Sequence, residues 1–271
     1  MWTNPEHSAY AYTGGKPFQT DSTLPCVVLL HGAQNDHSVW ALQSRYLAHH
    51  GWRVLAFDLP AHGRSVGPVL PSVEAMAAWV IAQCQHLGVA QAHIVGHSMG
   101  SLIALEISGQ APNLVRSVAL LGTAVPMPVG AALLQATHDA PQTAIDQINA
   151  WSHRASTGAY ISHNPGVSHT GLGRRLMQRV HAQHGSQVLP SDFAACNAYA
   201  TGTAHAANLR VPCLVMNGAN DAMTPAKAAK TLAALIPHAR LTLLPDCGHA
   251  LMSEQPDAVL TALTKHLNSA Q

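Results

Sequence analysis

Charged residues are scarce in this chain of 271 residues, where Asp, Glu, Lys and Arg make up only 10% of the sequence. About 25% is typical of globular proteins. The formal net charge of +1 offers no basic field that would attract nucleic acid or an anionic membrane surface. Apolar residues make up 48%, and a chain of this length can bury a large core. The low charge argues against a disordered chain. We therefore expect one soluble folded protein with no nucleic-acid or membrane partner.

Targeting segments and long hydrophobic runs are also missing. No apolar run approaches the roughly 20 residues that a membrane helix needs. Residues 1–7 lack the basic and apolar regions of a signal peptide. The five cysteines are odd in number and widely spaced: Cys26, Cys84, Cys196, Cys213 and Cys247. These features predict buried thiols rather than disulfides, and a cytoplasmic location.

Histidine, by contrast, is abundant, with 19 copies. Between residues 125 and 207, no pair of histidines combines a distinctive metal-ligand spacing with a carboxylate. We therefore expect scattered surface histidines there, and neither a metal nor another cofactor in the protein.

Short apolar strands alternate with helical segments along most of the chain. The predicted strands are 26–30, 53–58, 92–95, 117–121, 213–216 and 241–245, and the early helices are 38–49 and 72–87. An opening hairpin is predicted from Ser8 to Thr23, with its turn at Gly14 and Gly15. The alternation predicts an α/β fold with a mostly parallel, doubly wound sheet and helices on both faces. Its ligand site should lie beyond the carboxyl ends of the strands.

This alternation breaks between residues 125 and 207, after Pro126, Pro128 and Gly130. Mixed helical stretches follow: 131–137, 143–151, 172–184 and 193–199. We therefore expect a core made of residues 1–124 and 208–271, with an inserted helical segment at 125–207.

The segment Gly96-His97-Ser98-Met99-Gly100 stands between a predicted strand and a predicted helix. Two close glycines permit a sharp strand-to-helix turn that pushes the Ser98 hydroxyl outward, as a nucleophile requires. The alternative is a glycine-rich turn with a solvated serine. A serine hydroxyl also needs a base and an orienting acid to react.

His249 and Asp221 are the candidate base and acid, because each follows a predicted strand and the chain order is Ser, acid, His. Asp221 would hold the tautomer of His249, unless it only caps its own turn. Asp246 is the alternative acid, but it lies only three residues before His249. Thr224 is predicted to cap the next helix, with Pro225 at the first helical position.

A tetrahedral intermediate needs two backbone N–H donors aimed at its oxyanion. The candidates are Ala33, in the loop after the strand 26–30, and Met99, directly after the nucleophile. His31 is predicted to anchor this loop rather than to act in acid–base chemistry.

Together these motifs resemble the α/β-hydrolase superfamily, in its serine-dependent form with a helical cap. The matching signatures are His31-Gly32, residues 58–65, residues 96–100, residues 217–221 and Gly248-His249. The chain departs from the usual pattern at Ala61 and Ser101, where relatives often carry glycine. The resemblance implies that residues 125–207 form the cap and that Asp58 braces a loop.

The leading functional hypothesis is a serine hydrolase that cleaves short to medium carboxylic esters through an acyl-enzyme. One alternative is a C–C bond hydrolase of vinylogous diketones with the same triad, and another is a non-catalytic receptor. Epoxide hydrolase and dehalogenase chemistry is disfavoured, because those relatives need an aspartate in place of Ser98. Arg174, Arg175 and Arg179 are interpreted as a solvated helix face, with binding of a substrate carboxylate as the alternative.

Overall fold

A computed structural model describes residues 1–3, 8–153 and 167–270. Within these residues one sheet has the strand order β1-β3-β2-β4-β5-β6-β7. The strands are β1 (Tyr10–Tyr12), β2 (Cys26–Leu30), β3 (Arg53–Asp58), β4 (Ala92–His97), β5 (Val115–Leu121), β6 (Cys213–Gly218) and β7 (Arg240–Leu244). Only β1 is antiparallel to its neighbour. The predicted fold class, a mostly parallel doubly wound sheet, is confirmed.

Helices connect the strands and cover the sheet. They are α1 (Ala41–His49), α2 (Val73–His86), α3 (Met99–Gln110), α4 (Ala131–Asp139), α5 (Pro141–Ser152), α6 (His169–His184), α7 (Val188–Ala198), α8 (Gly202–Asn208), α9 (Ala226–Leu235), α10 (Leu251–Glu254) and α11 (Pro256–Ser269). Short 3-10 turns occupy His37–Trp40 and Pro112–Leu114. In the part of the chain that the structure describes, no helix combines the length and the apolar character needed to cross a bilayer.

Side chains that alternate along the strands belong to two apolar clusters. Val28 and Leu30 of β2 pack with α2 and α3, whereas Val27 and Leu29 pack with α1 and α11. Successive residues of a strand point to opposite faces of a sheet. Both faces of this sheet are therefore covered by helices, and its central strands β2, β4 and β6 are buried throughout.

Helices α4 to α7, which follow β5, share a smaller apolar cluster of their own. Leu133, Ile148, Met177 and Phe193 contribute to it, one from each helix. Ala33, in the loop after β2, packs against this cluster. The helix α8, which the sequence did not predict, packs instead against α3 and α9.

The predicted opening hairpin is wrong. Gly14 and Gly15 do form a turn, with φ of 70° and 86°, but the described residues 13–25 contain no second strand. Pro17 and Pro25 lie in this stretch, and proline removes a backbone donor from a strand ladder. β1 pairs instead with β3 at the edge of the sheet.

The cysteines behave as predicted, since all five are buried and unpaired. Burial raises the pKa of the Cys26 and Cys213 thiols to about 12. Because the thiolate is the reactive form, these cysteines are inert components of the core.

Candidate active site

Ser98 occupies the sharp turn between β4 and α3. Its φ of 54° and ψ of −120° lie in a region that costs a residue other than glycine roughly 1–3 kcal/mol. Hydrogen bonds hold the turn: Ser98 N–H donates to the Leu121 carbonyl at 2.9 Å. The Ser98 carbonyl in turn accepts from the Ser101 N–H at 2.8 Å and from its hydroxyl at 2.6 Å. Ser101, which stands where relatives often carry glycine, thus braces the strained turn.

The two glycines of the motif are required by close backbone packing. A Cβ on Gly96 would overlap the Gly100 carbonyl, and a Cβ on Gly100 would overlap the Leu30 carbonyl. Without side chains at these positions, the start of α3 approaches both β4 and the end of β2. Gly32 consequently lies against Ser98, since a Cβ there would be 3.1 Å from the Ser98 Cβ.

His249 and Asp221 form a buried hydrogen-bonded pair. The Nδ1 of His249 lies 2.8 Å from Oδ2 of Asp221, and their side chains are 6% and 0% exposed. Asp221 Oδ1 also accepts from the N–H groups of Met223 and Thr224, both at 2.8 Å. Asp246, the alternative acid, is exposed in the loop before His249. The pair therefore joins the loops after β6 and β7.

Thr224 does not cap α9 as the sequence predicted, because that helix begins at Ala226 with Pro225 at the N-cap. Its hydroxyl instead donates to Asp221 Oδ2 at 2.7 Å and lies 3.2 Å from the Nδ1 of His249. Burial alone would raise the pKa of the Asp221 carboxyl. The neighbouring His249 and the bonds from Thr224 outweigh burial, so that pKa lies below its ordinary value. Asp221 is thereby kept ionised beside the imidazole.

His97 links the turn at Ser98 to the loop that carries His249. Its Nε2–H donates to the His249 carbonyl at 2.8 Å, and the two rings are 4.8 Å apart. Burial, together with the neighbouring His249, lowers the pKa of His97 to about 3. The ring is therefore neutral and positions the loop without adding a charge next to His249.

Two backbone donors near Ser98 in the fold remain without an acceptor in the described part of the chain. Among the described residues, the N–H groups of Ala33 and Met99 have no protein acceptor. Ala33 lies in the loop after β2, and Met99 begins α3. His31 anchors this loop as predicted, since its ring accepts from Leu59 N–H at 3.2 Å and donates to the Gly32 carbonyl at 2.8 Å.

A buried contact ties the same loop to the helices that follow β5. Asp192 on α7 accepts from the Gln34 N–H at 2.8 Å and from the His62 ring at 3.0 Å. The Gln34 amide donates to the Met177 carbonyl on α6 at 3.1 Å. Because Gln34 follows Ala33 directly, these bonds hold the part of the loop that contains Ala33 against α6 and α7.

A cavity of about 650 Å³ opens above Ser98 and His249. Its walls come from α1, from the loop after β2 and from α5, α6 and α7. Its apolar lining includes Leu42, Leu172 and Phe193. Ser98 and His249 therefore line the same cavity as side chains of α5, α6 and α7.

Asp36, His37 and Asp58 form the group within the described residues whose ligand atoms are close enough to hold a metal ion. The side-chain atoms that would bind a metal already form hydrogen bonds within the protein. Asp58 accepts from the N–H of His37 at 2.7 Å and from that of Arg64 at 2.9 Å, while Asp36 binds the Arg179 guanidinium. Asp58 thus braces the loop after β3, as the resemblance implied.

A sequence profile described as the alpha/beta hydrolase fold matches residues 25–256. The chain belongs to the alpha/beta hydrolase family. A pimeloyl-[acyl-carrier protein] methyl ester esterase of Aromatoleum aromaticum is 29% identical over 249 residues, 86% of this hydrolase and 94% of that protein. The crystal structure of the enol-lactonase from Burkholderia xenovorans LB400 superposes with a TM-score of 0.82 at 25% identity, over 96% of each chain.

A dihydrolipoyllysine-residue acetyltransferase component of an acetoin cleaving system, from Pseudomonas putida, is 37% identical over 99 residues. That alignment covers 36% of this hydrolase and only 26% of the relative. The hydrolase thus spans about a quarter of that protein's length.

The sequence did not indicate several residues that shape the site of this hydrolase. They are Thr224 beside the His249–Asp221 pair, His97 below it, Gln34 and Asp192 behind the Ala33 loop, and Gln43 in the cavity wall. Gln43 is buried, and its amide oxygen and nitrogen have no hydrogen-bond partner among the described residues. Only its place on the predicted helix 38–49 could have suggested that it faces the site.

We expect Asp192→Asn to destabilise the hydrolase by about 3 kcal/mol near pH 6, because removing one charge of a buried pair leaves the other uncompensated. Burial opposes protonation of His62, but Asp192 outweighs it and raises the pKa of His62. The stabilisation is complete below the unfolded pKa of about 6.5 and declines as the pH rises through the folded pKa.

Thermal unfolding of wild type and Asp192→Asn at pH 6 and pH 9 measures this dependence. The difference in Tm should be larger at pH 6. Asp146→Asn is the matched control, since its partner Arg174 is exposed and exposed ion pairs contribute little to stability. A Tm difference that grows toward pH 9 would contradict the charged His62–Asp192 pair.

Proposed function

We propose that this hydrolase cleaves short to medium carboxylic esters through an acyl-enzyme on Ser98. The observation that carries the proposal is the buried His249–Asp221 pair, which shares a cavity with a serine held in a strained turn. Strained backbone concentrates at functional sites. A serine, a base within reach and an acid that orients the base are the parts that nucleophilic catalysis needs.

In the proposed reaction, His249 takes the proton of the Ser98 hydroxyl while its oxygen attacks the ester carbonyl. Asp221 holds the imidazole tautomer and stabilises the imidazolium. The N–H groups of Ala33 and Met99, which lack protein acceptors, would bind the oxyanion. His249 then protonates the leaving alcohol. In the second half of the reaction, His249 takes a proton from the water that attacks the acyl-enzyme, and it returns the proton to the Ser98 oxygen as the acid leaves.

The size and shape of the cavity favour compact substrates. Ligand sites that bury most of a small molecule measure roughly 300–1,000 Å³, and this cavity of about 650 Å³ falls in that range. We further propose that residues 125–207 act as the cap over a core of residues 1–124 and 208–271. In support, described helices of the insertion line the cavity, although residues 154–166 lie outside the described part. The names of two similar proteins, a methyl ester esterase and an enol-lactonase, also concern ester linkages.

A series of para-nitrophenyl esters from acetate to palmitate tests the substrate class. We expect kcat/KM to peak at short or medium acyl chains, because pockets of this size bury most of a compact ligand. Emulsified triglyceride should be a poor substrate. A hydrolysis rate that peaks with emulsified long-chain esters would overturn the proposal in favour of a lipase. If the protein hydrolysed none of the esters but turned over a ring-fission dienoate, a C–C bond hydrolase would be favoured instead.

A further inference from the structure

The helices beside the cavity are strongly cationic in sequence. Between Asp146 and Asp192 the chain contains four arginines and no Asp, Glu or Lys. The stretch 154–166, which lies outside the described part, falls within this interval and contains no carboxylate either. In a chain whose net charge is only +1, this is a marked local excess of positive charge.

Three of these arginines lie on α6, and the structure distinguishes them by their partners. Arg174 binds Asp146 with two hydrogen bonds, of 2.6 and 3.0 Å. Arg179 binds Asp36 at 2.6 Å. Arg175 has no hydrogen-bond or ion-pair partner anywhere in the described residues. Two of the guanidinium charges are therefore neutralised by carboxylates, and that of Arg175 is not.

Arg175 is also placed where a ligand could use its charge. It lines the cavity that contains Ser98 and His249, whereas Arg174 on the same helix does not. No Asp or Glu is among the described residues that line this cavity. Asp221, behind His249, is already engaged by Thr224 and the imidazole. The cavity wall thus presents a cation with no carboxylate to balance it.

We propose that Arg175 selects esters that carry a carboxylate in addition to the scissile ester, such as half-esters of short dicarboxylic acids. This inference rests on the proposed function, because it names the ester class that the same site takes. A guanidinium presents paired N–H donors that match the two oxygens of a carboxylate. Binding of such a substrate would supply the anionic partner that Arg175 lacks within the protein.

The test compares monomethyl glutarate with its neutral counterpart, dimethyl glutarate, by pH-stat at low ionic strength. We expect kcat/KM to be about tenfold higher for the half-ester, the effect of one charge-assisted hydrogen bond. Arg175→Gln should bring the ratio of the two kcat/KM values close to one, and Arg175→Lys should retain part of the preference. Carboxymethyl acetate against ethyl acetate repeats the comparison with the carboxylate on the alcohol side.

Arg174→Gln is the matched control. It removes one positive charge from the neighbouring position of the same helix, and it should leave the ratio at its wild-type value. A ratio near one in the wild type for both ester pairs would overturn the proposal. Equal losses in Arg174→Gln and Arg175→Gln would also overturn it, because the effect would then come from the general charge of α6.

Binding separates this inference from the proposed function. Monomethyl glutarate should bind Ser98→Ala, as measured by calorimetry, about tenfold more tightly than it binds the Ser98→Ala, Arg175→Gln double variant. This measurement needs no turnover. Equal affinities would overturn the role of Arg175 and leave the proposed function standing. Failure to hydrolyse any ester would overturn the proposed function, and the difference in affinity would still decide the role of Arg175.

Discussion

Replacing Ser98 with alanine is expected to lower ester turnover by roughly 10⁴-fold or more and to abolish labelling by a fluorophosphonate probe. The reason is that the strained turn presents one hydroxyl to the cavity that His249 shares. Without that hydroxyl no acyl-enzyme forms. Steady-state kinetics and mass spectrometry of the labelled peptide measure the two effects.

The matched control is Ser108→Ala, a serine on the same helix α3 whose hydroxyl donates to the Leu105 carbonyl. This variant should keep both labelling and turnover. Labelling at a serine other than Ser98, or wild-type turnover by Ser98→Ala, would contradict the assignment of the nucleophile.

The frame of the site could be predicted from the sequence because its signals are local. A short apolar run indicates each strand, and a glycine lies between that run and each of Ser98, Asp221 and His249. Parallel strands of one sheet place their carboxyl ends at one edge. The observed pairing of β4, β5, β6 and β7 therefore brings the three loops together.

The contacts that adjust the site could not be predicted, because they join residues far apart in sequence. Asp192 lies 158 positions from Gln34, and His97 lies 152 positions from His249. Their meeting depends on how the inserted helices and the loops pack, and no local pattern encodes that packing.

The arginine cluster of α6 shows the same limit. Its interpretation as a solvated face holds for Arg174, whose partner Asp146 is exposed as well. Arg179, however, binds Asp36, which lies 143 positions away and is buried. Sequence spacing alone does not distinguish the arginines that bind carboxylates, Arg174 and Arg179, from Arg175.

The error at Thr224 also has a local cause. A threonine directly before a proline is a common way to begin a helix, so the sequence favoured a cap. In the structure its hydroxyl is directed to Asp221, and α9 begins one residue after Pro225. As a cap, the threonine oxygen would accept from a backbone N–H of the helix, but here that oxygen accepts from the Asn217 side-chain amide at 3.3 Å while the hydroxyl donates to the buried carboxylate.

Asp221→Asn is expected to keep the fold and to lower kcat by roughly 10³- to 10⁴-fold, because an amide favours the wrong tautomer of His249 and does not stabilise the imidazolium. Asparagine retains a carbonyl oxygen that can accept from the N–H groups of Met223 and Thr224, so the turn after β6 should persist. Unchanged thermal unfolding would confirm that the loss is chemical. Asp246→Asn, in the loop before His249, is the control and should alter kcat by about twofold at most, as exposed substitutions do. The opposite pattern, a large loss in Asp246→Asn and a small one in Asp221→Asn, would assign the acid to the loop after β7 and would leave the 2.8 Å bond between Asp221 and His249 as a structural contact.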